Sequence, residues 1–324
     1  MSLDASRRHI RMVGGEDTII EAAWLYYHDG LNQNDIATRL GVSRATVVNY
    51  LQEARERGFV QINLSDEVFS GHRLALQLKD KFGLKGALVI PDGDNKGDVA
   101  PKRVARAAAR WLPSVLAPGD RLGVAWGKTI YDVAENLETV ATPDLTVLQL
   151  VGSMATPYGF SADVCSSYVA RRLFARCVNL HVPAIVSTPS VADVLRQEEL
   201  IASQLEEINR FNKTLFAVGS CLPNSHVVSS GVATVDELQW YVKQGATGVL
   251  CGRFIDRDGK GIKGPLDDRM MGVSLQMMRK PEVGILVSVG DDRVPAAAAA
   301  MRGGYATHLV THQSSAEMLI ASGS

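Results

Sequence analysis

The sequence predicts an α/β protein in two parts: a small all-α helix-turn-helix head, with or without a wing, and a larger doubly wound parallel-sheet domain. Three observations carry that expectation. Two short amphipathic helices flank Gly41 within residues 32–57. From about Leu84 onward, apolar runs of strand length alternate with helical periods, the pattern of a parallel sheet covered on both faces. A chain of 324 residues, 46% hydrophobic and 21% charged, has ample core for two domains.

The head opens with a helix from Asp17 or Thr18, whose Ile20, Ala23, Trp24 and Tyr27 form a stripe ending at Gly30. Trp24, Leu25 and Tyr27 are therefore expected in the core of a three-helix head rather than stacked on bases. Asn32 caps the next helix, where Ile36, Ala37 and Leu40 share a stripe. At Gly41 a left-handed backbone reverses the chain without a Cβ clash. Ser43 then caps a third helix carrying Val47, Tyr50, Leu51 and Ala54 at helical spacing. Small Ala37 lets the two helices cross closely, and Val47 points into the corner.

That spacing is the helix-turn-helix, whose second helix presents side chains to base edges. The expected DNA contacts are Ser43, Arg44, Ala45, Thr46, Val48, Asn49 and Gln52. Arg can bond guanine twice, Asn and Gln can do so for adenine, and Ala or Val can meet a thymine methyl. Ser43, Arg44 and Thr46 also stand where phosphates would lie. An ordinary αα-hairpin shows parts of this pattern; here caps, turn glycine, small residue and inner apolar positions coincide. Residues 1–64 hold seven Arg, no Lys and eight Asp or Glu, so one head has no strong basic field. Phosphate neutralisation supplies much of DNA affinity, so several heads per operator are expected.

Gly58 ends the recognition helix, and FVQINL alternates like a short strand, a wing or the start of a connection. The division is placed there: residues 1–64 bind DNA, and residues 65–324 bind an effector and oligomerise. Helical LALQLKDKFGL leads into the strand GALVI. RLGVAWG is a strand, TIYDVAENLETV a helix, LTVLQLVGS a strand, and SSYVARRLFARCV a long helical segment. AIVST, LFAVGS, TGVLCGR, VGILVSVG and HLVTH read as further strands, with PAAAAAMRGGY a tight helix against the sheet.

Ligands of such sheets bind beyond the carboxyl ends of the strands. Gly127, Lys128 and Thr129 are the leading candidates, because a strand ends there and a helix begins, offering free N–H groups and a positive helix end. Gly152 and Ser153 close the next strand, Arg253 and Arg293 are the cations nearest two later strand ends, and Asp291 and Asp292 can accept bonds from sugar hydroxyls. Each taken singly reads as well as a turn or a solvated charge. The chain has neither the spacing of a P-loop nor a dinucleotide GxGxxG.

Net charge is -1, so any attraction to DNA must be local. No apolar run reaches bilayer length and the N-terminus lacks an unbroken apolar core, so the expected location is cytoplasmic, with no membrane partner. Cys165, Cys177, Cys221 and Cys251 show no CxxC, and no metal or cofactor is implied.

With these residues in hand, the chain resembles the SorC/DeoR-type sugar-sensing bacterial transcriptional regulators over nearly its whole length. The matching stretches are WLYYHDGLNQNDIATRLGVSRATVVNYLQEARERG, GDRLGVAWGKTI, LQLVGS, GATGVLCGRFIDRDG and AAAMRGGYATHLVT, in that order. The resemblance implies an effector domain shaped like sugar-phosphate isomerases, tetramers built from dimers, and control by a small sugar, sugar phosphate or polyol, with repression the expected sign. The head looks most like the branch controlling erythritol catabolism. By position, Gly127, Lys128 and Thr129 match the loop that holds the effector's phosphate or hydroxyls, with Gly152 and Ser153 beside it. Val249 stands where the family usually has an acidic residue, Arg293 where it has a Lys, and Thr311-His312 where a Thr-Asp is common. These departures favour a small neutral polyol.

The alternative is a sugar-phosphate isomerase-like enzyme with an N-terminal accessory domain. That needs a poised base and an orienting partner. No such pair stands at the strand ends, Val249 occupies the carboxylate place, and His181 and His312 are more simply structural.

Overall fold

A computed structural model describes residues 15–62, 72–92, 99–154 and 159–323. The chain divides into two compact units, Met1–Ser65 and Asp66–Ser324.

In the first unit, helices α1 (Gly15–Tyr27), α2 (Gln33–Leu40) and α3 (Arg44–Glu56) enclose a small core. Asn32 Oδ1 accepts the N–H groups of Asn34 and Asp35, which starts α2. Gly41, at φ 67°, donates its N–H to the Ala37 carbonyl and ends it. Ser43 Oγ accepts the Thr46 N–H and starts α3. Ile19, Ala22, Ala23 and Leu25 of α1 pack on Ile36, Ala37, Val47, Leu51 and Ala54. The stripe expected on α1 is thereby corrected. Ala23 is buried, but Ile20, Trp24 and Tyr27 are 44%, 57% and 38% exposed. The helix has two apolar faces, and periodicity alone does not say which one turns inward. Residues 59–62 form no strand, so the described residues hold no wing; Asn63 and Leu64 lie outside them.

The second unit starts with α4 (Arg73–Phe82) and is built on seven parallel strands. They are β1 (Gly86–Ile90), β2 (Arg121–Val124), β3 (Thr146–Gln149), β4 (Arg176–Val178), β5 (Lys213–Phe216), β9 (Val283–Val287) and β10 (His308–His312), in the order β1-β10-β9-β5-β2-β3-β4. Alternate residues serve two cores. Ala87 and Val89 of β1 join one and Leu88 and Ile90 the other, as do Leu286 against Ile285 and Val287 in β9. Burial on both faces is why these strands read as unbroken apolar runs.

Three expectations fail in detail. TGVLCGR is not a strand of the parallel sheet. It forms β7 (Ala246–Leu250), which pairs antiparallel with β6 (Gly219–Ser220) and β8 (Arg253–Asp256) in a separate three-stranded sheet. The β7–β8 turn is Cys251-Gly252, with φ 49° and 78°, the two left-handed residues of a tight hairpin. AIVST makes only an isolated bridge, Ile185 to Met270. The long helix across SSYVARRLFARCV stops early: α5 (Ala162–Arg172) is followed by Phe174 at φ 49° and then β4.

At the amino end of the sheet, Asp120 fixes β2 beside β5. Its carboxylate accepts from Ala117 N (2.6 Å) and Asn212 Nδ2 (2.8 Å) and pairs with Lys213 Nζ at 2.8 Å. Asn212 Oδ1 in turn accepts the Arg121 N–H. Burial pushes the Asp120 carboxyl up, but the bonds from Lys213, Ala117 and Asn212 outweigh it and hold it below its ordinary 3.8. A depressed native value stabilises above pH 3.8 and is lost as pH falls through the lower native value. Asp120→Ala leaves the half-buried Lys213 ammonium without its counter-charge and should cost about 3–5 kcal/mol in urea unfolding at pH 7. That deficit should shrink below pH 3.8; a loss under 1 kcal/mol would contradict this reading.

Candidate functional site

Strand β2 leads to β3 and β4 on one side of the sheet, while β5 leads to β9 and β10 on the other. The connections diverge between β2 and β5, and a crevice is expected outside their carboxyl ends. A cavity of about 210 Å³ lies there. Its floor is Ala125 and Trp126 after β2 and Ala217 and Val218 after β5, and one wall is Gly127, Lys128 and Thr129. Gly127, at φ 114°, turns the chain into α6 (Lys128–Asn136), and no side chain caps that helix. Its first N–H groups and positive end are therefore available to an acceptor.

The other walls come from three places. Ser220, Asn224, Ser225 and His226 follow β5, Val249, Cys251 and Gly252 belong to the β7–β8 hairpin, and Asp292 and Arg293 follow β9. Lys128 Nζ pairs with Asp132 on its own helix at 2.7 Å. Arg293 Nε lies 3.9 Å from the Asp292 carboxylate and, though buried, makes no hydrogen bond. Ser225 Oγ is likewise buried without a partner. His226 packs against the Phe160 ring, with centroids 5.2 Å apart. Burial, and then the positive charges of Arg293 and Lys128, push the His226 imidazole below its ordinary 6.5. Cys251 is pushed up to about 12 by burial and stays a neutral thiol.

Of the expected effector residues, the structure brings together Gly127, Lys128, Thr129 and Arg293, with Asp292 and Val249. The others lie elsewhere. Arg253 turns away from the cavity, donating to the Val273 carbonyl at 2.8 Å and to Asp267 Oδ1 at 3.1 Å. Gly152 is a close-packing glycine, since a Cβ there would fall 2.5 Å from the Pro183 carbonyl oxygen. Ser153 Oγ accepts from buried Gln149 at 3.3 Å. Asp291 faces a different hollow, beside His312 and Asp92. His181 is held by Gln204 and is structural.

Ser220, Asn224, Ser225 and His226 were not foreseen. The strand LFAVGS is legible in sequence, and a Gly-Ser end followed by a polar segment was a usable signal. Only the pairing of β5 with β2 carries that segment to Lys128.

On the head, Arg44, Ala45, Val48, Asn49 and Gln52 are exposed along α3, while Val47 and Leu51 are buried behind them. Arg44 Nε donates to Gln33 of α2 at 3.2 Å, and Gln52 Nε2 donates to Glu56 at 2.8 Å. Ser43 and Thr46 hydroxyls bond each other at 2.8 Å at the helix start. No helix among the described residues is long and apolar enough to cross a membrane.

Residues 66–321 match the family described as "Putative sugar-binding domain". The chain is 38% identical over 311 residues to the uncharacterized transcriptional regulator YjhU of Escherichia coli, covering 94% of this chain and 95% of the relative. It is 32% identical over 310 residues to the deoxyribonucleoside regulator of Bacillus subtilis, covering 93% and 96%. The crystal structure of the full-length sorbitol operon regulator SorC from Klebsiella pneumoniae superposes with a TM-score of 0.77 at 23% identity, covering 95% of this chain and all of that one, a likeness of fold.

The lowered His226 value has a measurable consequence. A histidine whose native value lies below 6.5 takes up its proton more readily when unfolded, so it destabilises the fold as pH drops below 6.5. His226→Gln should therefore flatten part of the fall in melting temperature between pH 7 and pH 5. An NMR titration of wild-type His226 should give a midpoint under 6.5; a midpoint above it would refute the assignment.

Proposed function

Because the chain belongs to the SorC/DeoR-type sugar-sensing transcriptional regulators, we propose that its cavity holds a phosphorylated small sugar whose binding resets the affinity of the head for operator DNA. One observation carries the choice of ligand: Lys128 and Arg293 converge on a cavity that also receives the uncapped start of α6. Two cations and a helix N-terminus suit a phosphate better than a neutral polyol. The polyol favoured by the sequence is displaced on that ground. Asp292 and the hydroxyls of Ser220 and Ser225 are left for the sugar's own hydroxyls. Val249 makes one wall apolar, so that face of the sugar is read by contact rather than by a carboxylate.

In this reading residues 1–64 contact DNA through Arg44, Ala45, Val48, Asn49 and Gln52, with Ser43 and Thr46 near phosphates. Residues 65–324 bind the effector and assemble the oligomer, proposed as a tetramer of two dimers acting as a cytoplasmic repressor. The effector shifts the balance only by its difference in affinity between DNA-bound and free protein, and DNA must weaken effector binding by the same factor.

A thermal-shift series over small sugars, polyols and their phosphates tests the ligand. A phosphorylated compound at about 100 times its Kd should stabilise by about 2.7 kcal/mol, and its unphosphorylated form should not. Equal shifts from both forms would overturn the phosphate assignment. Lys128→Ala should weaken the phosphorylated ligand by about 1.5–3 kcal/mol while leaving DNA affinity unchanged. Arg44→Ala should do the reverse, costing specific operator binding about 1–3 kcal/mol.

A further inference from the structure

Helix α1 is apolar on two faces. Ile19, Ala22, Ala23 and Leu25 are consumed by the core of the head. Ile20, Trp24 and Tyr27 form the second face, at i, i+4 and i+7, and remain 44%, 57% and 38% exposed. Phe59, 39% exposed, adjoins them across a shallow hollow, and Ile62, 56% exposed, follows in the chain. Five large apolar side chains on so small a unit are more than scattered surface residues, and a contiguous patch of this kind marks a contact. It lies on α1, whereas the expected base contacts lie on α3, so it can be covered while DNA is bound.

We propose that this stripe seats the same stripe of a second copy, α1 crossing α1 antiparallel about a two-fold axis with Trp24 at the centre. A stripe at i, i+4, i+7 is self-complementary under a two-fold, as an isologous contact must be. At its ends Glu16 pairs with Arg57 at 2.9 Å, and His28, stacked on Trp24 at 4.3 Å, bonds Asp29 at 2.9 Å. In the antiparallel sense the helix dipoles oppose.

The area of the stripe suits a partner head that is already held nearby. A large aromatic side chain buries 150–250 Å². At these exposures the stripe offers on the order of 400 Å² per head, or about 800 Å² per pair, below the roughly 1,000 Å² of a contact stable by itself. This pairing rests on the oligomer proposed above: two heads tethered in it meet at an effective concentration near millimolar, where so small a contact suffices. The head's charge points the same way: seven Arg against eight Asp and Glu in residues 1–64 leave a single head poorly able to hold DNA.

The test uses the full chain. Trp24→Cys, oxidised with copper-phenanthroline, should form a disulfide-linked dimer at least tenfold faster than Thr38→Cys, an exposed position on α2. Trp24→Glu should keep the wild-type melting temperature and the stabilisation by inorganic phosphate or a sugar phosphate, whatever its size. Its affinity for a two-half-site fragment selected from random DNA by the wild-type chain should fall tenfold or more. Three results would each overturn the proposal: Trp24→Cys linking no faster than Thr38→Cys, its disulfide mapped to Cys165, Cys177, Cys221 or Cys251 rather than to the same position of a second copy, or unchanged DNA affinity in a folded Trp24→Glu. Should Trp24→Glu fail to fold, the rate and the mapped partner of the Trp24→Cys cross-link decide alone.

Discussion

The parallel pairing of β2 with β5 is the constraint from which the second unit and its cavity follow. These strands are neighbours in the sheet although about ninety residues separate them, with Leu122 opposite Lys213 and Val124 opposite Leu215. Asp120, Asn212 and Lys213 lock the amino ends, and the bond from Ala125 N to the Leu215 carbonyl extends the pairing to the floor of the cavity. Because the chain leaves β2 in one direction and β5 in the other, no single connection roofs the gap beyond them. Lys128 and His226, nearly a hundred residues apart, become opposite walls of one space as a direct result.

That space is unusual in what it lacks. The hairpin that closes one side carries Val249, buried, where a carboxylate would balance the nearby cations. Cys251 at its tip adopts a left-handed backbone, which is costly for any residue with a Cβ and is held here by the pairing of Leu250 with Arg253 and by burial of the thiol. That conformation is the one a two-residue hairpin turn requires, so the β7–β8 turn sets where this wall of the cavity stands. Lys128 takes Asp132 as its counter-charge, the contact with which a dianion bound at the helix start would compete.

The head obeys a different economy. Its core is nine small and medium apolar residues, enough to set three helices but not to absorb both faces of α1. Capping does much of the remaining ordering: Asn32, Gly41 and Ser43 each satisfy backbone groups that would otherwise compete for water. The exposed face of α3 can then be left free of structural duty apart from the loose ties of Arg44 to Gln33 and Gln52 to Glu56.

What the residues alone determined was whatever depends on local periodicity and backbone chemistry. The turn at Gly41, the caps at Asn32 and Ser43, the exposed face of α3, the doubly buried strands and the uncapped helix after Gly127 all follow from interactions within a few residues. The tertiary structure decided everything that rests on which faces meet. It turned Ile20, Trp24 and Tyr27 outward, moved TGVLCGR into a second sheet, and sent Arg253 to Asp267 instead of the cavity. It also brought in Ser225 and His226. The physical reason is the same in each case: an apolar stripe or a strand end carries no record of its partner, and only the pairing of distant segments chooses one.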